Sequence, residues 1–219
     1  MVAISNSVRA QQLLANSSDD ASAEHQFYKI AKLAARKGAK PYRRNIQDIL
    51  SKKPRSFRLH QLAGMIEAMH GSLDLALKHL SKAKSIYPIE PSIHFDLGRV
   101  LDSLGRLQES RTALKASLKL HPNQPKVCMQ MGKSLIKSDF HLRASKWFEA
   151  ALSLDPNLAI AHYYLGELAL KIAQDQKAEE YFQNAFKLDP SMAFAAYGLA
   201  KVNLNKGEID LAKFFFEKA

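Results

Sequence analysis

A chain of 219 residues with 47% hydrophobic and 24% charged residues can bury a substantial core, which excludes an intrinsically disordered chain. Its formal net charge is +11, and the excess is uneven: residues 1–57 hold 11 Lys/Arg against 4 Asp/Glu, so nucleic acid, an anionic membrane surface and an acidic partner all enter as candidates. A lone cysteine, Cys128, leaves no internal disulfide and no thiolate pair for a metal, and fits a reducing cytoplasm.

Apolar runs are broken by Glu, Lys or His well before the roughly 20 residues that cross a bilayer, so no membrane span is expected. The first 20 residues carry one basic residue, Arg9, and lack the apolar segment of a secretory signal. With only 9 Gly and 8 Pro and few β-branched clusters, the chain is expected to be all-α.

In chain order, residues 1–22, rich in Ser, Asn and Asp around Ser17, Ser18, Asp19 and Asp20, read as a flexible leader. Residues 23–56 read as a degenerate capping repeat. A helical run over 27–37 stops at Gly38, and a second run opens at Pro41 and reaches Leu50, a helix stop and a helix start of the usual kind. Ile30, Tyr42 and Ile49 occupy positions that are small in later units. Lys29, Lys32, Arg36, Lys40, Arg43 and Arg44 follow helical spacing opposite Phe27, Ile30, Leu33 and Ala34. They form one charged face, read first as solvated, next as a site for an acidic partner, and last as a nucleic-acid contact.

From residue 57 the chain repeats every 34 residues. Leu97-Gly98, Met131-Gly132, Leu165-Gly166 and Leu199-Ala200 are in register, Gly64 stands one period before Gly98, and Pro88, Pro122, Pro156 and Pro190 fall at the same interval. Units over 57–90, 91–124, 125–158, 159–192 and 193–219 result, the last truncated. Each reads as two amphipathic helices joined by a short turn near Gly71, Gly105, Asp139, Ala173 or Gly207. Small residues at 76, 110, 144, 178 and 212, and again at 83, 117, 151, 185 and 219, let the two backbones approach. Between them Leu80, Leu114, Phe148, Phe182 and Phe216 fill the groove of the neighbouring helix.

Leu165-Gly166, Ala178, Phe182, Ala185 and Pro190, so spaced, resemble the tetratricopeptide repeat. The aromatic that this family places three residues before the Leu-Gly pair is replaced by His60, His94, Cys128, His162 and Ala196. The resemblance implies a right-handed superhelical solenoid of antiparallel helix pairs, working as an interaction scaffold for a peptide or protein and not as an enzyme. It also implies a concave groove lined by the first helix of each unit. Here that groove would comprise Met65, Met69, Phe95, Arg99, Met129, Lys133, Lys137, Tyr163, Lys171, Phe194, Tyr197 and Lys201. Aromatic and Met side chains interleaved with cations suit a ligand of apolar and acidic character. The carboxylate clamp that grips chaperone C-terminal tails in this family is not matched, because Gln61 and Met65, or Phe95 and Arg99, occupy its positions.

Catalytic, cofactor and metal sites are not expected. The glycines are single and form no phosphate-binding loop, the histidines show no paired metal-ligand spacing, and His60, His94 and His162 recur at one repeat position, which reads as packing. Cys128 shares that position and reads as a small buried apolar residue. Since Ala219 falls inside the second helix of its unit, where repeat arrays usually carry a polar cap, we expect the sequence to continue. A rival reading is then the docking arm of a longer enzyme such as a sulfotransferase or glycosyltransferase. If the register is right, Gly166→Leu overpacks a helix contact and lowers stability by about 1–3 kcal/mol or more; an unchanged melting temperature would contradict it.

Overall fold

In a computed structural model of the chain, residues 43–219 are described; the leader over 1–22 and the part of the capping repeat up to residue 42 lie outside them. The described residues are helical throughout, with no strand. They fall into two compact units divided between Leu120 and His121. The first holds α1 (Arg43–Lys52), α2 (Phe57–Met69), α3 (Leu73–Ile86), α4 (Pro91–Ser103) and α5 (Leu107–Leu120). The second holds α6 (Pro125–Ile136), α7 (His141–Leu154), α8 (Ala159–Lys171), α9 (Asp175–Leu188), α10 (Ala193–Asn205) and α11 (Ile209–Lys218).

Local chemistry sets these boundaries. Pro91 and Pro125 open α4 and α6 in the first turn, where a missing N–H leaves no bond unmade. The Ser56 hydroxyl caps α2 by accepting from the Leu59 amide. The turn inside each hairpin, three residues long in four cases and four between α6 and α7, is built one way five times. Gly71, Gly105, Asp139, Ala173 and Gly207 all take positive φ. The next residue's N–H returns to the carbonyl five residues back, as in Ser72 to Glu67, Arg106 to Leu101, Phe140 to Leu135, Gln174 to Ala169 and Glu208 to Asn203. This is the Schellman closure, which satisfies carbonyls at the helix end and reverses the chain.

The hairpins close on a repeated interlock. Leu80, Leu114, Phe148 and Phe182 are fully buried, each facing the glycine of its own first helix. A Cβ added at Gly64 or Gly98 would lie 2.6 or 2.7 Å from Leu80 or Leu114; one at Gly132 or Gly166 would lie 2.6 or 2.7 Å from the ring of Phe148 or Phe182. The small positions do the same from the other side, with Ala76, Ala83, Ala144, Ala151, Ala178 and Ala185 fully buried. Where serine replaces alanine, its hydroxyl donates across the seam: Ser110 to the Gly98 carbonyl and Ser117 to the Pro91 carbonyl, each at 2.8 Å. Burying each large side chain is worth about 1.5–3 kcal/mol, so the interlock is a leading source of hairpin stability.

Phe216 departs from this expectation, being 42% exposed. Its register partner is Ala200, whose methyl occupies the space that a glycine leaves open, and the ring of Phe216 lies instead edge-on to Tyr197 at 5.7 Å. Gly198 takes on a different duty. A Cβ there would come within 2.5 Å of Phe182, so this ring is clasped between Gly166 of its own hairpin and Gly198 of α10.

Arg43 also differs from the solvated face expected of it. Its guanidinium grips Glu67 with Nε 2.9 Å from Oε1 and Nη2 2.8 Å from Oε2, and donates to the Ser72 hydroxyl at 2.5 Å, fastening α1 to the hairpin of α2 and α3. Arg44 is exposed.

Ala173 holds φ at 55°, a left-handed conformation that costs an L side chain about 1–2 kcal/mol. Glycine removes that strain but adds unfolded-state entropy. Ala173→Gly should therefore stabilise the chain by about 0.5–1 kcal/mol net, read as a raised urea midpoint.

Candidate functional site

The residues expected to line a groove stand on first helices, except Lys137, which lies just past the end of α6, and within each unit they fall on two sides of those helices. The row of Gln61, Phe95, Met129, Tyr163 and Tyr197 is largely turned toward the neighbouring helix. Gln61 donates from Nε2 to Asp96 Oδ2 at 2.7 Å and to the Ser92 hydroxyl at 3.0 Å, tying α2 to α4. Tyr163 packs its ring against Phe194, with centroids 5.9 Å apart, and against Tyr164 at 5.2 Å. Met129 is buried, with only 7% of it exposed, so it offers little surface to a ligand. Tyr197 is the member that reaches solvent, at 51% exposure.

The other row keeps its side chains outward. Met65 and Met69 on α2 are exposed, as is Arg99 on α4, whose guanidinium lies 5.8 Å from the Phe95 ring centre. In the second unit Lys137 and Lys171 are exposed and Lys133 and Lys201 half-buried. The Lys133 ammonium sits 5.4 Å over Tyr164 and that of Lys201 5.8 Å over Tyr197, within the range of cation–π attraction. Lys171 donates to Nε2 of His141 at 2.6 Å. Phe194, at 67% exposure, stands at the start of α10.

Burial shapes the few perturbed groups here. The Asp96 carboxyl is pushed up by burial, opposed by the hydrogen bond from Gln61 and the nearby Arg99 charge. The Tyr163 hydroxyl is pushed up to about 12 by burial, with Glu167 and Tyr164 adding to it, so at neutral pH it is a neutral donor. Burial likewise raises the Cys128 thiol above its ordinary value, which keeps it protonated and poorly nucleophilic.

The recurrent histidines have a structural role. Nε2 of His60, His94 and His162 meets the carbonyl oxygens of Pro54, Pro88 and Pro156 at 3.2, 2.7 and 3.2 Å. A carbonyl only accepts, so each ring donates its Nε2–H and pins the connector that enters its helix. Among the described residues no group of three His, Cys, Asp or Glu side chains could hold a metal ion. Among the same residues no helix is long and apolar enough to cross a membrane.

Sequence reasoning missed the grip of Arg43 on Glu67, the bonds of Gln61 to Asp96 and Ser92, and Tyr164 as the seat of Lys133. The first two link residues 24 and 35 positions apart across different hairpins, which a periodicity search within units does not reach. Tyr164 is adjacent to a groove position and carried a findable signal, an aromatic on the same helix.

The architecture is thus that of a helical-hairpin repeat protein. The family profile described as the tetratricopeptide repeat matches residues 91–124 and 159–192, so these two hairpins carry the repeat. Among solved structures the chain is similar to the MamA fragment running from residue 41 to the end, from Desulfovibrio magneticus RS-1. Identity is 27% and the TM-score 0.66, over 74% of this chain and 92% of that one. PilF of Pseudomonas aeruginosa superposes with a TM-score of 0.77 at 16% identity, covering 89% of both chains. YrrB, described as a TPR protein with an unusual peptide-binding site, gives 0.62 at 16% identity over 79% of this chain and 89% of that one. No curated protein matches the chain. The PilF and YrrB likenesses speak to fold alone.

Proposed function

We propose that the chain is a protein-interaction scaffold whose first-helix faces hold a peptide or protein segment bearing apolar and acidic side chains. The observation that carries this reading is the pairing of exposed large apolar residues with a cation on one first helix, α10. Phe194 and Tyr197 stand with Lys201 on α10, at 67% and 51% exposure. In the first unit Met65 and Met69 of α2 stand with Arg99 of α4. Exposed aromatic and Met side chains have lost little by facing water singly, but together they supply the contact area that interfaces favour.

Magnitudes divide the labour. A central aromatic anchor contributes on the order of 2 kcal/mol or more when a partner covers it, whereas a rim ion pair is worth about 0.2–1 kcal/mol. Phe194 and Tyr197 therefore carry affinity, while Lys201 and Lys171 steer an acidic partner and set the encounter rate. The engagement of Arg43 by Glu67 takes one cation out of the basic face expected near the amino terminus, which weighs against nucleic acid. We propose a cytoplasmic location, since the sequence's lone cysteine builds no internal disulfide.

The test is selection of ligands for the full chain from a library of short peptides mixing acidic, aromatic and aliphatic residues, followed by calorimetry. Phe194→Ala combined with Tyr197→Ala should weaken the selected peptides by roughly 30-fold or more. Lys201→Glu should slow association and steepen its recovery with salt. Unchanged affinity in the aromatic double variant would place binding elsewhere.

A further inference from the structure

The first hairpin holds one feature that its repeats lack. On α3, His79 stands where the later hairpins have Ala113, Trp147, Tyr181 and Phe215. Tyr181 there packs on His162 with ring centres 6.2 Å apart, and His79 packs on His60 in the same way at 5.7 Å. The result is a direct contact between two imidazoles, with Nδ1 of His60 3.4 Å from Nδ1 of His79.

The protons in this contact can be assigned. The Pro54 carbonyl fixes the His60 hydrogen on Nε2, so in the neutral ring Nδ1 presents a lone pair. His79 must then donate its Nδ1–H. One added proton is tolerated, because it can sit on His79 Nε2 and leave the Nδ1–H···Nδ1 contact intact. A second has to occupy His60 Nδ1, which sets two N–H groups against each other and two positive rings in contact. The charges around the pair do not relieve this. Lys82 acts against a charge on His60 and Lys78 against one on His79. Glu67 favours a charged His79, but its oxygens are already held by Arg43 of α1.

We propose that His60 and His79 form an acid-sensitive joint: neutral or singly protonated, the pair holds α2, α3 and the connector at Pro54 together, and double protonation forces the helices apart. Burial is the main cause lowering both imidazoles below the ordinary value of 6.5. With folded values below the unfolded one, the unfolded state binds more protons in the window below 6.5. Stability from the joint is therefore full above about pH 6.5 and is lost as pH falls toward the depressed values. Since α2 also carries Met65 and Met69, loosening it would reach the surface proposed for binding; the joint itself stands without that reading.

The test compares the full chain with His79→Tyr, which copies the Tyr181 contact, in thermal unfolding from about pH 8 to about pH 5. The unsubstituted chain should lose at least about 3 °C more than the variant across that range, with amide exchange accelerating in 57–86 ahead of 159–188. Parallel losses and uniform exchange would overturn the joint. Should the variant not fold, the imidazole resonances of the unsubstituted chain decide. His60 and His79 should titrate in two separated steps below 6.5, and a single ordinary step for both would overturn the proposal.

Discussion

The close approach of paired helices at glycine, with a leucine or phenylalanine seated in the space the missing Cβ leaves, is the constraint on which the rest depends. A Cβ at Gly64, Gly98, Gly132 or Gly166 would fall inside 3 Å of that seated side chain. Interiors are packed to crystal-like density and give little, so the interlock fixes both the distance and the rotation of each second helix on its first. Once the rotation is fixed, the faces of each first helix have assigned duties. One carries the glycine inward, one packs on the neighbouring first helix, and one is left to solvent.

That division explains why particular side chains of the first helices reach solvent. Met65 and Met69, and separately Phe194 and Tyr197, reach solvent on helices whose glycines, Gly64 on α2 and Gly198 on α10, are held in close packing. Rigid presentation lets exposed aromatic groups bind without a large ordering penalty. The polar contacts between elements follow the same logic. Gln61 bonded to Asp96, Ser110 to the Gly98 carbonyl and Arg43 to Glu67 satisfy groups that burial would otherwise leave unpaired.

Much of this was legible in the sequence, and for a physical reason. The interlock needs a small residue and a large one at fixed offsets in every hairpin, so the 34-residue period writes the fold into composition. The turns were legible too, including Asp139 and Ala173, which adopt the positive φ of the glycines they replace. What stayed hidden depends on neighbours of different repeats. Met129 shares its register position with Phe95 and Tyr163, and the periodicity alone does not say which members of that row are covered. Phe216 repeats the phenylalanine pattern, yet Ala200 leaves its ring no seat. Gly198 lies two positions off the glycine register and clasps the ring of the hairpin before it.

The clasp of Phe182 between Gly166 and Gly198 offers the most direct measurement, a double-mutant cycle of Gly198→Ala with Phe182→Leu followed by urea unfolding. Each single change should destabilise the chain, the first by overpacking and the second by leaving a cavity. If the interlock governs the packing, the added methyl fills the space the ring gives up, and the double variant is more stable than the sum of the singles by about 0.5–3 kcal/mol. Additive losses would contradict the account, since they would mean that Gly198 and Phe182 do not share the space that sets the helix spacing.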